Sequence, residues 1–239
     1  MDVDLGAGFG TGWYATDLGD YRPCQYTYQG YDYDTLPALD ATRFTGAFRW
    51  LGDPGEVVPG QVAQLREVQE SLAAQGLALP EDFVRFHTSS NLLDSLDEVS
   101  VTGCWSSLSA PLPSPVEPGA FLVRFFRDQQ DCVLWYLYLR PTGEVFVVVS
   151  YLDYEYKYEC ESEAQDSADA AEPHSYLGDA AAQRAAILWC APSFEQFAYR
   201  FWIENRLWRA LNGDEEDEPI DPEMQAYLDH YKSPSPQRA

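Results

Sequence analysis

The sequence predicts an α+β fold in which helices pack on a mostly antiparallel sheet. Three patterns support this: an amphipathic helix over 61–75, alternating β segments over 121–151, and an aromatic helix that begins near Ser193. The 239 residues are 46% hydrophobic and 15% aromatic, enough to close the core of one sizeable domain or two small ones. This composition argues against wholesale disorder.

Residues 1–60 are rich in Tyr, Gly and Asp and show little helical periodicity. Asp32 and Asp34 alternate with Tyr31 and Tyr33, which is typical of an extended segment. We predict that this N-terminal segment packs on or beside the core.

Four alternating glycines stand at the start of that segment: Gly6, Gly8, Gly10 and Gly12. They weakly resemble a dinucleotide-binding loop, which needs a strand before it and a helix after it, or the Lys and Ser/Thr of a P-loop. None of these accompanies the glycines. We therefore predict a flexible arm and no cofactor.

The main α+β domain is predicted over 61–212 and begins with two helices. Val62, Leu65, Val68 and Leu72 recur at helical spacing, and Gly76 follows where a helix C-cap belongs. A second helix is predicted after Pro80, with two acidic residues in its first turn and two buried phenylalanines, Phe83 and Phe86.

An antiparallel meander is predicted after the proline-rich loop 111–118. Its first strand alternates, with Phe121, Val123 and Phe125 on one face and Leu122, Arg124 and Phe126 on the other. A dense aromatic run over 132–140, a turn at 141–143 and a strand over 145–151 complete two hairpins.

The C-terminal part alternates acidic and helical segments. A solvated acidic loop is predicted near 159–175, a short helix over 180–186 and an acidic tail over 213–239. Ser193 begins a capped helix that ends at Gly213, and its buried side is predicted to be Phe194, Phe197, Phe201, Trp208 and Leu211.

The charge is strongly one-sided, because 15 basic and 39 acidic side chains give 15 − 39 = −24. Such a surface repels phosphate backbones, so we expect no nucleic-acid partner and no anionic membrane, and a basic protein is the favoured partner. The acidic runs either steer that partner or only keep the protein soluble. No secretory pattern and no run of membrane-spanning length is visible, so we expect a cytoplasmic protein.

The sequence gives little support for a metal site or for a catalytic nucleophile. The three histidines (His87, His174, His230) are scattered, so no metal site is predicted. The five cysteines are widely spaced and odd in number, which favours buried, reduced thiols. A nucleophilic pair of Cys104 with His87 stays open, because such partners meet in space and not in sequence.

Several segments, taken in order, resemble the SUKH superfamily, which is named for eukaryotic cell-wall regulators and bacterial immunity proteins. They are 79–83 (LPEDF) after an amphipathic helix, Gly103, 121–126, 128–132 leading into 135–139 (WYLYL), 143–145, 193–197 (SFEQF) and 200–211. The resemblance spans 61–211. It implies an α+β domain that is commonly a non-catalytic immunity protein binding a toxin, often a nuclease.

The resemblance and the charge together suggest neutralisation of a basic toxin domain. Candidate partner-binding residues are Asp128, Gln129, Gln130 and Asp131, at a predicted β-turn, together with Asp94, Asp97, Glu98 and Trp105. A plain hairpin turn is the alternative for the first four. A regulatory or scaffold adaptor with an endogenous partner is the alternative function, and an enzyme is the third.

Overall fold

The computed structural model describes residues 8–155, 180–213 and 219–232. The strands are β1 (Gly10–Thr11), β2 (Trp13–Ala15), β3 (Gln29–Tyr31), β4 (Trp105–Ser106), β5 (Leu112–Pro113), β6 (Phe121–Arg127), β7 (Leu134–Leu139), β8 (Val145–Ser150) and β9 (Leu188–Ala191). The α-helices are α1 (Pro59–Ala73), α2 (Glu81–Thr88), α3 (Ser95–Val99), α4 (Ala180–Ala186), α5 (Phe194–Asn212) and α6 (Pro222–Lys232). The predicted acidic loop near 159–175 lies outside the described residues, as do 214–218 and 233–239 of the predicted tail.

A seven-stranded sheet forms the centre of the fold. Its strands lie in the order β1-β9-β8-β7-β6-β4, and β5 also pairs with β6. From β6 through β7 and β8 to β9, each strand is antiparallel to the next, while β1 runs parallel to β9. The predicted α+β class, with a mostly antiparallel sheet and flanking helices, is confirmed.

The sheet buries both of its faces. All six residues of β7 are buried, because alternate side chains enter two different clusters. The odd-numbered positions of β7 pack in a cluster with α1, α2 and α5, and the even-numbered positions pack in a second cluster with Ala186 of α4 and Ile187. A strand covered on both sides is a continuous apolar run, which explains the aromatic density of this segment.

The first two helices form as predicted. The buried side chains of α1 and α2 include Leu65, Val68, Leu72, Phe83 and Phe86. Gly76 has a φ of +74°, and the Leu77 N–H donates to the Leu72 carbonyl over 3.0 Å. This is the Schellman arrangement that ends a helix with a glycine.

One strand departs from the predicted alternation. A register shift between Arg124 and Phe126 breaks the pairing of β6 with β7, so Phe125 and Phe126 both pack in the cluster that contains α5. A β-bulge adds one residue to a strand and re-aims its side chains. The prediction that Phe126 faces away from Phe125 is therefore wrong.

The prediction of a flexible arm is wrong for residues 10–12. Gly10 and Thr11 pair with β9, and the Gly12 N–H donates to the Trp189 carbonyl over 3.0 Å. A Cβ on Gly12 would lie 2.7 Å from Cδ1 of Leu188. The glycine therefore permits a close approach to β9 that a larger residue would block.

The C-terminal segment contains a packed helix where the sequence predicts only an acidic tail. Met224, Tyr227 and Leu228 of α6 are buried against α5 and Leu18. Their spacing is helical, but the surrounding charges obscured it. The capped helix itself is α5: the Ser193 Oγ accepts from the Gln196 N–H over 3.3 Å.

The outer end of α5 is less buried than predicted. Trp208 and Leu211 are half-buried, while Phe194, Phe197 and Phe201 are buried.

None of the helices in the described part of the chain has the length and apolar composition needed to cross a bilayer.

A buried carboxylate on α5 links distant parts of the chain. Glu204 is 2% exposed, and it accepts from both terminal nitrogens of Arg22 at 2.7 and 2.9 Å. It also accepts from the Trp13 Nε1 at 2.8 Å and from the Tyr227 hydroxyl at 2.5 Å. The N-terminal segment, α5 and α6 therefore meet at one side chain.

This carboxylate is stabilised in its charged form. Burial by itself would raise the pKa of Glu204, but the Arg22 guanidinium and the nearby Arg200 together lower it. Arg200 donates to the Tyr227 hydroxyl and to the Pro37 carbonyl, each over 2.9 Å. Arg22 and Glu204 thus form a buried ion pair, and the Arg200 guanidinium is hydrogen-bonded; such partners are the condition for tolerating buried charges.

Replacing Glu204 by Gln is expected to lower the free energy of unfolding by about 3–5 kcal/mol, because Arg22 would keep a buried charge with no counter-charge. Chemical denaturation monitored by circular dichroism measures this loss. Glu70→Gln, an exposed position of α1, is the control and should change stability by less than about 0.5 kcal/mol. A loss below about 1 kcal/mol for Glu204→Gln would contradict the role given to the pair.

The same pair makes stability depend on pH. Because the folded-state pKa of Glu204 is lowered, its contribution is fully present above the unfolded-state pKa of about 4.3 and is lost as pH falls through the folded-state pKa. We expect the stability difference between the wild type and Glu204→Gln to be constant from about pH 7 to pH 5 and to narrow below about pH 4. A difference that widens in acid would contradict this sign.

Candidate functional site

Two predicted groups of partner-binding residues lie on one side of the molecule. Asp94, Asp97 and Glu98 belong to α3 and its N-terminus, and Trp105 begins β4. Residues 128–131 lie in the loop 128–133 between β6 and β7. We call the surface formed by Asp94, Asp97, Glu98, Trp105, Gln129, Gln130 and Asp131 the acidic face.

Direct contacts connect the three elements of the acidic face. The Asp97 carboxylate accepts from the Ser106 N–H at 3.0 Å and from its Oγ at 2.8 Å, which ties α3 to β4. Trp105 pairs with Arg127 at the end of β6. A Cβ built on Gly103 would lie 3.2 Å from the Gln129 side chain. The sheet pairing of β4 with β6 therefore brings both predicted groups together.

Trp105 is the exposed aromatic residue of this face. Its side chain is 39% exposed, and the Arg127 guanidinium lies 5.4 Å from its ring centroid. Arg127 also forms an ion pair with Asp131. A cation over an aromatic ring is a favourable contact that holds both groups in place, so the indole is presented in a fixed orientation.

The face carries more acid than base. Arg127 and Arg209 border it, and Arg209 donates to the Glu98 carbonyl over 2.7 Å. Four carboxylates therefore stand against two guanidinium groups, and Asp94 and Glu98 are exposed. The local surface keeps the negative sign of the whole chain.

Asp128 does not contribute its carboxylate to this surface. It is 4% exposed, and its Oδ1 accepts from the Cys132 N–H at 2.7 Å and from the Val133 N–H at 3.1 Å. The Asp131 N–H donates back to the Asp128 carbonyl over 3.2 Å. Asp128 thus shapes the turn, and Gln129 and Gln130 are the exposed side chains at its tip.

Burial and a like charge both act on Asp97. Partial burial raises the pKa of its carboxyl, and the negative charge of Asp94 adds to the rise, while hydrogen bonds from Ser106 oppose it. Burial is the main cause of the raised pKa, and the charge of Asp94 is a smaller one.

Beneath the acidic face lies a cavity of about 180 Å³, which we call the His87 cavity. It is partly open to solvent, and residues of α1, α2 and α3 and of the segments before and after α3 line it: Gln61, Gln64, Leu65, His87, Leu93, Asp94, Asp97, Ser106, Ser107 and Leu108. Asp94 and Asp97 belong to both the face and the cavity. Of the other lining residues, the sequence predicts Leu65 as an apolar residue of α1 and leaves His87 open as a partner of Cys104. It gives no signal for the rest.

His87 is the most unusual residue of the cavity lining. It is 9% exposed and packs against the rings of Phe83, Phe86 and Phe194. Burial lowers the pKa of His87 to about 3, so its ring is neutral at physiological pH. Within the described ranges its buried Nε2 has no hydrogen-bond partner, which is a costly state for a buried polar atom.

Cys104 and His87 have separate surroundings. The Cys104 Sγ lies 3.1 Å from the Tyr28 hydroxyl and 3.4 Å from the Thr102 Oγ1, and burial raises the pKa of the thiol. A thiol with a raised pKa is a weak nucleophile at neutral pH. This geometry gives no support to the Cys–His pair that the sequence left open.

The cysteines and possible metal ligands are dispersed. Cys24, Cys104, Cys132 and Cys190 are free; Cys104 and Cys190 are buried, whereas Cys132 is exposed and Cys24 is half-buried. The prediction that the thiols are buried is therefore wrong for Cys132, and Cys160 lies outside the described residues. Over the described ranges, no group of three or more His, Cys, Asp or Glu side chains is placed to hold a metal ion.

Comparisons of the chain with protein-family models, curated proteins and solved structures found no match. The resemblance to the SUKH superfamily, and the function that it implies, therefore stay predictions.

Replacing Asp128 by Ala is expected to lower the free energy of unfolding by about 1–3 kcal/mol, because two backbone N–H groups of the loop would lose their acceptor. Thermal or chemical denaturation measures the effect. Gln130→Ala, at the exposed tip of the same loop, is the matched control and should stay within about 0.5 kcal/mol of the wild type. Equal effects of the two substitutions would show that Asp128 does not hold the turn.

Proposed function

We propose that this protein is a non-catalytic, cytoplasmic binding protein and that its acidic face binds a basic protein partner. On the resemblance to SUKH immunity proteins, we further propose that the partner is a toxin domain. The observation that carries the first step is that contacts of β4 with α3 and with β6 connect the elements that bear Asp94, Glu98, Trp105, Gln129 and Gln130.

The composition of the acidic face supports protein recognition. Interfaces are enriched in tryptophan at their centres and are surrounded by polar groups. Trp105 supplies such a centre, and the exposed amides and carboxylates around it supply the hydrogen-bonding rim. An overall charge of −24 adds long-range attraction for a basic partner.

The rigidity of the face also supports this role. Asp97 fixes β4 to α3, and Asp128 fixes the turn that carries the two glutamines. A surface whose loops are already ordered loses less conformational entropy when it binds. Internal hydrogen bonds thus prepare the exposed groups for recognition.

A co-expression assay tests the proposal. Basic proteins encoded beside the gene are expressed alone and together with the full-length chain, and growth of the host cells is measured. We expect one of them to stop growth when expressed alone and to be neutralised by the wild type. The double variant Glu98→Lys/Trp105→Ala should bind that protein at least about 30-fold more weakly, since a central tryptophan contributes about 2 kcal/mol or more.

The matched control is Glu70→Lys/Tyr151→Ala, which makes the same charge change and removes another exposed aromatic residue that is not one of those defining the acidic face. It should neutralise as well as the wild type. Binding should also weaken as salt rises, mainly through a slower association rate. Equal loss in both double variants, or affinity that does not respond to salt, would contradict recognition through the acidic face.

A further inference from the structure

We propose that Tyr26 binds an arginine side chain of the partner on the face of its ring and thereby extends the binding surface from the acidic face onto the N-terminal segment. This inference deepens the proposed function and rests on it. Three observations carry it: the loop that bears Tyr26 packs beside the acidic face, hydrogen bonds hold this loop in place, and the ring is exposed in surroundings that are acidic.

The loop 24–28, which we call the Tyr26 loop, lies next to the acidic face. The Tyr28 hydroxyl is 3.1 Å from the Cys104 Sγ, and Trp105 is the next residue after Cys104. Because consecutive Cα atoms are 3.8 Å apart, the backbone of Tyr26 lies within about 8 Å of that of Tyr28. The contact therefore places the Tyr26 loop beside β4, the strand that bears Trp105.

Hydrogen bonds hold the Tyr26 loop in one arrangement. The Cys24 N–H donates to the Asp17 carboxylate over 2.8 Å, and the Cys24 thiol donates to the Tyr26 carbonyl over 2.8 Å. Just before the loop, the Pro23 carbonyl accepts from the Tyr31 hydroxyl over 2.7 Å. An ordered loop loses less conformational entropy when it binds than a flexible one does. The loop therefore presents its exposed side chains as part of a preformed surface.

The Tyr26 ring is available to a cation. Tyr26 is 77% exposed, the highest value among the exposed large hydrophobic residues of the described chain. Arginines of the chain itself lie 4.4–5.4 Å from the ring centroids of Tyr31, Tyr199, Trp105 and Trp202. Within the described ranges, no Arg or Lys lies over Tyr26 in this way. Since a cation over an exposed aromatic ring is a favourable contact, a guanidinium from a partner can occupy this ring face.

The two chain segments that meet at this contact carry acidic side chains and no basic ones. Residues 23–42 contain three aspartates, residues 86–123 contain two aspartates and two glutamates, and neither range contains Lys or Arg. A basic partner is therefore attracted to both segments. Arginine is favoured over lysine at Tyr26 because its planar, weakly hydrated guanidinium stacks on an aromatic ring.

An NMR titration of the full-length protein with a hexaarginine peptide tests the proposal without the natural partner. The affinity is measured from the Trp105 indole N–H signal at constant ionic strength, so the effect of Tyr26 is observed at a residue of the acidic face. Tyr26→Leu should weaken binding about twofold to fivefold, the effect of losing one exposed cation–π contact. Tyr26→Phe keeps the aromatic ring and, as the matched control, should bind like the wild type.

Both variants are expected to fold, because Tyr26 is exposed and offers its backbone carbonyl to the Cys24 thiol. Circular dichroism of each variant verifies this. Undiminished affinity of Tyr26→Leu, an equal loss in Tyr26→Phe, or no binding of hexaarginine at Trp105 would each overturn the proposal.

The two proposals fail separately, because the titration involves no partner. If the wild type neutralises a toxin and the titration does not depend on the Tyr26 ring, the role given to Tyr26 is wrong and the acidic face remains. If Tyr26→Leu weakens hexaarginine binding as expected and the co-expressed proteins are not neutralised, the partner assignment is wrong and Tyr26 remains an arginine-binding residue.

Discussion

The structure depends on α5, and above all on the buried carboxylate of Glu204. One side chain holds the N-terminal segment through Arg22 and holds α6 through Tyr227. The neighbouring Asn205 extends this role, since its Oδ1 accepts from the Val101 N–H over 2.9 Å just after α3. A helix that is apolar toward the sheet therefore holds, through its polar residues, the segment around Arg22, helix α6 and the residues that follow α3.

Carboxylates in this very acidic chain serve two different purposes. Asp128 accepts backbone N–H groups and is almost fully buried, so its charge shapes a loop. Asp94 and Glu98 are exposed and leave their charge available to solvent or to a partner. Net charge alone cannot separate these groups, because it counts each carboxylate equally. Their hydrogen bonds distinguish the carboxylates that hold the fold from those that are free to meet a partner. Fewer acidic residues are therefore candidates for recognition than the sequence suggests.

Elements with strong local signals could be predicted from the sequence, and elements that depend on distant partners could not. The glycine-terminated α1 and the capped α5 carry their own periodicity and end signals. Strand β1 exists because Gly12 approaches Leu188, which is far away in sequence, and α6 depends on a surface that only folding creates. The sequence indicated the residues of the acidic face but not that they lie together. The pairing of β4 with β6 brings the two groups together, and this pairing has no local signal. The His87 cavity joins three helices, so no single segment could indicate it.

The carboxylate of Glu204 and those of Asp94 and Asp97 at the His87 cavity differ in how they are paired. Both terminal nitrogens of Arg22 donate to the Glu204 carboxylate, and this ion pair offsets the free-energy cost of burying the charge. At the His87 cavity the same kinds of acceptor occur next to a buried imidazole, but the described lining contains no cation. The Nε2 of His87 has no hydrogen-bond partner among the described residues, and the same holds for the Nε of Arg22 at the first site, so neither site satisfies every buried polar atom. Pairing with Arg22 therefore makes Glu204 part of the fold, whereas Asp94 keeps its carboxylate exposed and available to a partner.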